Sequence, residues 1–213
     1  MMQKTYARTV GKRIGVKKKK LITDLLPKLE LDQNNLPNHD NVVFEIGFGT
    51  GVFTAHYAIN NPNEQIIACE PFINGVASLL EQISENNISN IKIYSNDARV
   101  LLEKIPVNYI SKVFIFFPDP WPKKKHQKRR LLQADFLEFI LPKLKIFGQV
   151  YFATDDEDYA NSALTCFTQN SRLEWVNKSN FLEPFEFFIK TRYYEKAIKQ
   201  KKEPFFFQFK KIS

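Results

Sequence analysis

Short runs of apolar, β-branched and aromatic residues alternate with longer mixed stretches along the chain beyond residue 41. The short runs predict strands and the mixed stretches predict helices, because buried parallel strands are apolar along their whole length. The predicted strands cover residues 42–46, 66–69, 91–94, 112–117 and 149–153. This alternation is typical of βαβ units, so we predict an α/β fold with a doubly wound, mostly parallel sheet.

The C-terminal part breaks the alternation. Residues 173–178 and 205–211 predict two more strands, separated by an irregular stretch rich in aromatic residues. A late pair of this kind predicts an antiparallel edge on a seven-stranded sheet. We expect a flexible basic arm over residues 1–20 and a single domain over residues 21–213, since this length suits one hydrophobic core.

The charge distribution indicates a polyanionic partner. The formal net charge is +8, and cations cluster in residues 17–20 and 123–130. Clustered ammonium and guanidinium groups bind polyanions by displacing condensed counterions, although a solvated basic face has the same composition.

Composition also indicates the compartment. Cys69 and Cys166 show no metal-ligand spacing, which favours a reducing environment over a disulfide framework. No apolar run approaches the roughly 20 residues that span a bilayer, and the N-terminal stretch lacks the apolar centre of a secretory signal. We therefore expect a cytoplasmic protein with no membrane partner, either a monomer or a homodimer.

Three glycines, Gly47, Gly49 and Gly51, directly follow the first predicted strand and precede a helix. Glycine at such a turn allows a nucleotide-like ligand to approach the main chain closely, although a tight turn alone has the same composition. Glu70 ends the second strand, where an acid can bind both ribose hydroxyls. Asp97 follows the third strand, within expected reach of an adenine ring.

The glycine spacing distinguishes between nucleotides. A dinucleotide fingerprint, G-x-G-x-x-G, would have its third glycine where this chain has Val52. The spacing here is G-x-G-x-G, preceded by Glu45. A pyrophosphate disfavours a carboxylate at this place, whereas S-adenosylmethionine (SAM) carries an ammonium and a sulfonium that attract one. The acids and glycines predict SAM as the cofactor.

The fourth strand is followed by the sequence PDPWPKKKHQKRR. Open α/β sheets bind ligands at the carboxyl ends of their strands, so Asp119 is expected at the reaction centre, with prolines on both sides stiffening its backbone. Capping of a turn is the alternative for Asp119. Trp121 is expected either to stack on a base or to pack in the core. The cations of residues 123–130 are expected to bind flanking phosphates.

These features suit a guanine N7 acceptor. N7 is an in-plane lone pair without a proton, so its methylation needs alignment rather than a strong base. Asp119 can stabilise the positive charge that develops on the ring. The three histidines of the chain show no triad or metal spacing.

Three segments resemble, in order and spacing, the blocks of the bacterial tRNA (guanine-N7-)-methyltransferase family: EIGFGTG at 45–51, FFPDPWPKKKHQKRRL at 116–131 and ATDDEDYA at 153–160. The resemblance implies a Rossmann-like fold, SAM as cofactor, tRNA as substrate, and N7 methylation of the variable-loop guanine, position 46 in tRNA convention. The SAM contacts it implies are Glu45, Glu70, Asp97 and Asp119, with Asp119 also at the methyl-transfer site. Lys123 and Asp155 would contact the target guanosine or its neighbours.

The family also has a Thr-x-aromatic-Glu motif in its substrate site. The matching residues here are Thr191, Arg192, Tyr193 and Tyr194, which the resemblance assigns to substrate binding. An ungapped alignment puts Tyr194 where the family has glutamate and moves Glu195 one position on.

Three other functions are compatible with parts of this pattern. A methyltransferase acting on an exocyclic amine would have an Asp-Pro-Pro-aromatic motif, and this chain has Asp-Pro-Trp. A non-catalytic RNA-binding protein would have lost usable residues at the cofactor positions, which are all retained. A nicotinamide oxidoreductase is disfavoured by Glu45 and Val52.

Overall fold

The computed structural model describes residue 11 and residues 13–213. The chain divides into two compact units, Met1–Ile105 and Pro106–Ser213. The single domain expected over residues 21–213 stays a prediction. None of the described helices is long and apolar enough to cross a membrane.

The first unit contains three parallel strands in the order β3-β2-β1. They are β1 (Val42–Ile46), β2 (Gln65–Cys69) and β3 (Ile91–Tyr94), and the helices that follow them are α3 (Val52–Asn60), α4 (Ile73–Asn86) and α5 (Ala98–Leu102). Strand β1 is buried along its whole length, as its continuous apolar sequence predicts. The carboxyl ends of these strands hold the glycine turn and the acids that follow β2 and β3.

Helix α1 (Val16–Asp24) and helix α2 (Leu26–Leu29) precede β1. The flexible arm expected over residues 1–20 stays a prediction: residues 16–20 lie in α1, while residues 1–10 and 12 lie outside the described residues. The Lys17 Nζ atom lies 2.9 Å from carboxylate oxygens of both Glu81 and Glu85 on α4, and Lys18 Nζ lies 3.2 Å from Glu81. Two lysines of this block thus pair with acids of the same unit.

The second unit contains four strands in the order β4-β5-β7-β6. They are β4 (Ile110–Phe116), β5 (Leu144–Thr154), β6 (Leu173–Trp175) and β7 (Phe205–Lys211). Strand β5 runs parallel to β4, and β7 runs antiparallel to both β5 and β6. The antiparallel pairing expected near the C-terminus is confirmed, and the strand at the edge is β6. The helices of this unit are α6 (Ala134–Ile140), α7 (Glu157–Thr168) and α8 (Arg192–Lys199), with 3-10 turns over Lys124–Arg129 and Leu141–Lys143.

Aromatic side chains fill the core of the second unit. Phe152 stacks on Phe207 with ring centroids 6.2 Å apart, and Phe167 stacks on Phe209 at 4.5 Å. All four rings are buried. Burial of a phenylalanine side chain stabilises a fold by about 1.5–3 kcal/mol, so these residues hold α7 firmly against β5 and β7.

Strand β5 begins at Leu144, five residues before the predicted start at residue 149. Its pairing with β4 continues across a bulge. The register moves from Ile110 opposite Leu144 to Lys112 opposite Gln149. The bulged segment includes Phe147, which has φ 65° and is 68% exposed. A bulky aromatic residue in this left-handed conformation is a strained outlier.

We predict that Phe147→Gly raises the free energy of unfolding by up to about 1 kcal/mol, measured by urea denaturation. A left-handed φ costs a residue with a Cβ about 1–2 kcal/mol, whereas glycine loses roughly 0.5–1 kcal/mol of extra chain entropy. Phe147→Ala is the matched control, because it removes the ring and keeps the Cβ. A glycine variant no more stable than the alanine variant would contradict the assignment of strain.

Candidate active site

The glycine turn (residues 47–51) connects β1 to α3. Gly47, Gly49 and Gly51 have φ values of 76°, 59° and 74°, which residues with a Cβ rarely adopt. The Gly47 N–H donates to the Cys69 carbonyl at 2.8 Å, and the Gly51 N–H donates to the Phe48 carbonyl at 2.9 Å. The backbone conformation therefore accounts for the spacing of the glycines.

Glu70 connects the glycine turn to the end of β2. Its Oε2 accepts a hydrogen bond from the Gly49 N–H at 2.8 Å, and its Oε1 accepts one from the Phe72 N–H at 3.0 Å. The residue is only 8% exposed. Each carboxylate oxygen has further lone-pair capacity, so Glu70 can also accept from ligand hydroxyls. Sequence reasoning located this acid but missed its contact with the turn.

Helix α4 approaches the glycine turn closely at Gly75. A Cβ on Gly75 would collide with the backbone carbonyl oxygen of Gly49. A Cβ on Gly47, by contrast, would meet no atom within 4 Å, so there is open space beside the turn. Sequence reasoning missed Gly75; the available signal was a glycine in the first turn of a helix that otherwise carries a strong apolar face.

Glu45 is the second-last residue of β1 and is buried, with 4% exposure. Burial raises the pKa of this carboxyl to about 8, and the neighbouring charge of Glu70 adds to the rise. A cation beside it would favour the ionised form. The chemistry of these two acids suits a ligand with ribose hydroxyls and an ammonium, and it is unfavourable for a pyrophosphate. The residues of the first unit therefore fit SAM.

Asp97 caps the N-terminus of α5. Its Oδ1 accepts from the Arg99 N–H at 3.1 Å, and its Oδ2 lies 2.9 Å from Arg99 Nη2. The carboxylate thus has a structural role in addition to the contact with adenine, which stays a prediction.

In the second unit, the Asp119 turn (residues 117–122) follows β4. Phe117 has φ 50° and Trp121 has φ 45°, so two bulky residues adopt the left-handed conformation within one short turn. Strained backbone of this kind clusters at functional sites. The Phe117 N–H donates to the Ala153 carbonyl at 2.7 Å, and Asp119 is exposed between two prolines. The turn therefore presents the Asp119 carboxylate outward.

Trp121 contacts cationic and polar neighbours of the basic segment (residues 123–130). The Arg129 guanidinium carbon lies 5.0 Å from its ring centroid, and the His126 ring packs edge-on at 5.9 Å. The Trp121 ring is half-buried. Its stacking on a base stays a prediction.

Arg130 corrects the expectation that the whole basic segment binds phosphates. The residue is 5% exposed, and its Nη2 lies 2.6 Å from Asp158 Oδ2 and 3.7 Å from Asp156 Oδ1. Its Nε donates to the Pro120 carbonyl at 2.8 Å. Lys123, by contrast, is exposed. The sequence alone did not predict that Arg130 is buried, because burial of one cation within a basic run depends on tertiary packing.

Asp155 and the start of α8 hold the remaining predicted substrate residues. Asp155 Oδ2 accepts from Lys202 Nζ at 2.7 Å. Thr191 caps α8, its Oγ1 accepting from the Tyr194 N–H at 3.3 Å. Tyr194 is half-buried, and its ring centroid lies 5.9 Å from that of Phe188.

Tyr193 and Glu195 are exposed. Tyr194 packs inward against an aromatic neighbour, so the inward position at the start of α8 is occupied by a phenol rather than a carboxylate. Arg192 is exposed as well. Within residues 11 and 13–213, no group of three or more His, Cys, Asp or Glu side chains could hold a metal ion.

Comparison with known proteins identifies the family. Residues 39–207 match the family model described as "Putative methyltransferase". The chain is 34% identical to a tRNA (guanine-N(7)-)-methyltransferase of Hyphomonas neptunium, over 97% of this chain and 99% of that protein. It is also 37% identical to a bifunctional methyltransferase of Rickettsia conorii, over 96% of this chain. The chain spans 39% of the length of that relative.

A solved structure confirms the fold class. The chain is similar to a "putative methyltransferase" from Streptococcus mutans in complex with S-adenosylhomocysteine, with a TM-score of 0.53 and 12% identity over 92% of this chain and 98% of that one. This likeness, together with seven strands that pair mostly in parallel, confirms the predicted Rossmann-like fold. The sequence relatives confirm the resemblance inferred from the three motifs. The chain belongs to the tRNA (guanine-N7-)-methyltransferase family.

Proposed function

We propose that this chain transfers a methyl group from SAM to N7 of a guanine in tRNA, and that the acceptor is the variable-loop guanine. The observation that carries the proposal is the pair of buried acids, Glu45 and Glu70, beside an open glycine turn in a member of this family. Those acids match the cationic and hydroxyl groups of SAM. The Hyphomonas neptunium relative is named for the same reaction.

The cofactor residues act by binding and orientation. SAM supplies an electrophilic methyl group on a sulfonium. Glu70 accepts ribose hydroxyls through its carboxylate, which the Gly49 and Phe72 N–H groups hold in place. Glu45 ionises beside the ammonium, because a nearby cation offsets the burial that raises its pKa. Gly47 leaves room beside the turn, and Asp97 contributes a contact at the adenine ring.

Asp119 stabilises charge rather than removing a proton. The N7 lone pair forms the new carbon–nitrogen bond while the carbon–sulfur bond breaks, its electron pair going to sulfur. The guanine ring gains a positive charge in this step and loses no proton. A carboxylate placed at that ring stabilises the charge as it develops, and the strained turn that presents Asp119 is consistent with such preorganisation.

Substrate contacts come from the second unit. Lys123 and Asp155 contact the target guanosine or its neighbours, with Asp155 oriented by Lys202. Thr191, Arg192, Tyr193 and Tyr194 form the part of the site at the start of α8. Because a tyrosine occupies the inward position, recognition of guanine there relies on a phenol hydroxyl and a ring face.

Helix α8 carries a basic face that suits the tRNA backbone. Arg192, Lys196 and Lys199 are all exposed. Their i, i+4 and i+7 spacing places them on one side of the helix over about 10 Å, and Ala197 on the other side is buried. A solvated surface has the same composition, and the salt dependence of binding separates the two.

We predict that the purified chain, incubated with labelled SAM and unmodified tRNA, produces 7-methylguanosine. Borohydride reduction and aniline cleavage should locate the product in the variable loop.

Asp119→Asn keeps the shape of the side chain and removes its charge, so it should lower turnover by roughly 10²–10³-fold while tRNA affinity changes little. Label in N6-methyladenosine would contradict the assigned acceptor, and equal loss of turnover and affinity would contradict the role of Asp119.

We predict that replacing Arg192, Lys196 and Lys199 by glutamine weakens tRNA binding and flattens its dependence on salt. The slope of log K against log salt should fall by roughly 0.7–0.9 for each phosphate that the variant no longer neutralises. Replacing Lys17 and Lys18 by glutamine is the matched control, because these lysines already pair with acids of α4. A slope that changes equally in both variants would show that α8 is a solvated face.

A further inference from the structure

Arg130 is a buried cation in a segment whose lysines face solvent. We propose that Arg130 is a positioning residue for methyl transfer: it ties the Asp119 turn to the first turns of α7 and thereby fixes the direction of the Asp119 carboxylate and the Trp121 ring. The catalytic part of this inference rests on the proposed function. The positioning itself rests on the contacts of one guanidinium group.

One side of the guanidinium holds the turn. Arg130 Nε donates to the Pro120 carbonyl at 2.8 Å. Pro120 directly follows Asp119, and its carbonyl belongs to the peptide unit that leads into Trp121, whose φ is 45°. Prolines have no N–H to donate, so a turn built on three of them is held mainly through its carbonyl oxygens. An N–H donor from outside the turn, here that of Arg130 Nε, can therefore hold this backbone in place.

The other side of the guanidinium holds α7. Arg130 Nη2 lies 2.6 Å from Asp158 Oδ2, and Nη1 donates to Ser162 Oγ at 3.1 Å. The guanidinium carbon lies 4.8 Å from the centroid of the Tyr159 ring. The Tyr159 hydroxyl in turn accepts from the Leu132 N–H at 2.9 Å. The chain on both sides of the basic segment is thus tied to the same helix.

The geometry requires arginine in particular. Its planar group offers five donors in fixed directions, so one side chain can bond the turn and the helix at once. A lysine ammonium is a single point charge and serves one of these directions well. The same surroundings disfavour a phosphate contact, because Asp156 and Asp158 already surround the buried group.

The test compares Arg130→Ala and Arg130→Lys with Lys178→Ala, which removes an exposed cation of the same unit that lies outside the basic segment. Single-turnover methylation is measured at saturating SAM and tRNA, and tRNA affinity is measured across a salt series. We expect both Arg130 variants to react more slowly, with a loss of about 10²-fold for alanine, because small misplacements have effects of this size. Their salt slopes should stay at the wild-type value, and Lys178→Ala should retain the rate.

Chemical rescue separates positioning from general damage to the fold. Methylguanidinium added to Arg130→Ala should restore the rate at least tenfold, since it can occupy the space left by the buried side chain, and urea at equal concentration should not. Absence of rescue in a variant with a wild-type thermal midpoint would overturn the proposal. So would a retained rate with a flattened salt slope, which would make Arg130 a phosphate contact.

A fluorescence measurement tests the positioning role of Arg130 without relying on methyltransferase activity. The chain contains two tryptophans, so Trp175→Phe leaves Trp121 as the sole reporter. In that background, Arg130→Ala should increase acrylamide quenching of Trp121, and methylguanidinium should reverse the increase. This readout holds even if the wild-type chain methylates no tRNA. Unchanged quenching would overturn the positioning role, and Arg130→Lys supplies the same comparison if the alanine variant does not fold.

Discussion

Two hydrogen bonds from backbone N–H groups to the carboxylate of Glu70 are the interaction on which the candidate cofactor site of the first unit depends. One comes from the glycine turn and the other from the chain that enters α4, so a single buried acid connects the glycine turn, the end of β2 and the start of α4. The close approach of α4 to the carbonyl of Gly49 is possible because Gly75 has no side chain. The turn can then adopt left-handed backbone angles and still leave open space beside Gly47.

In the second unit, a buried side chain of opposite charge holds a loop in the same way. Arg130 is a buried cation that donates to a backbone carbonyl of the Asp119 turn, as Glu70 is a buried anion that accepts from the backbone of the glycine turn. In both places a charged side chain holds a loop that follows a parallel strand. Strained residues mark the second loop, because Phe117 and Trp121 adopt conformations that their side chains disfavour. The loops that carry the proposed chemistry are thus held in place by buried charge.

The sequence predicted the strands well because buried parallel strands are apolar along their whole length, and β1 to β3 match the expected runs within one residue. It also located the glycine turn and its acids, since these residues lie at or directly after the ends of predicted parallel strands. Features that depend on distant contacts were missed: the pairing of Lys17 with α4, the bulge that exposes Phe147, and the inward direction of Arg130. The cations of the basic segment look alike in the sequence, and only tertiary packing determines which of them is buried.

If the turn held by Glu70 binds SAM, a side chain that pushes α4 away from this turn must weaken SAM binding, and calorimetric titration of Gly75→Ala measures that effect. Gly15→Ala is the matched control, because a Cβ there would meet no atom within 4 Å. We expect wild-type protein and Gly15→Ala to bind one SAM per chain, whereas Gly75→Ala should retain its circular dichroism spectrum and bind SAM at least tenfold more weakly. Wild-type affinity in Gly75→Ala, or binding of NAD in place of SAM by the wild-type chain, would show that this turn is not a SAM site.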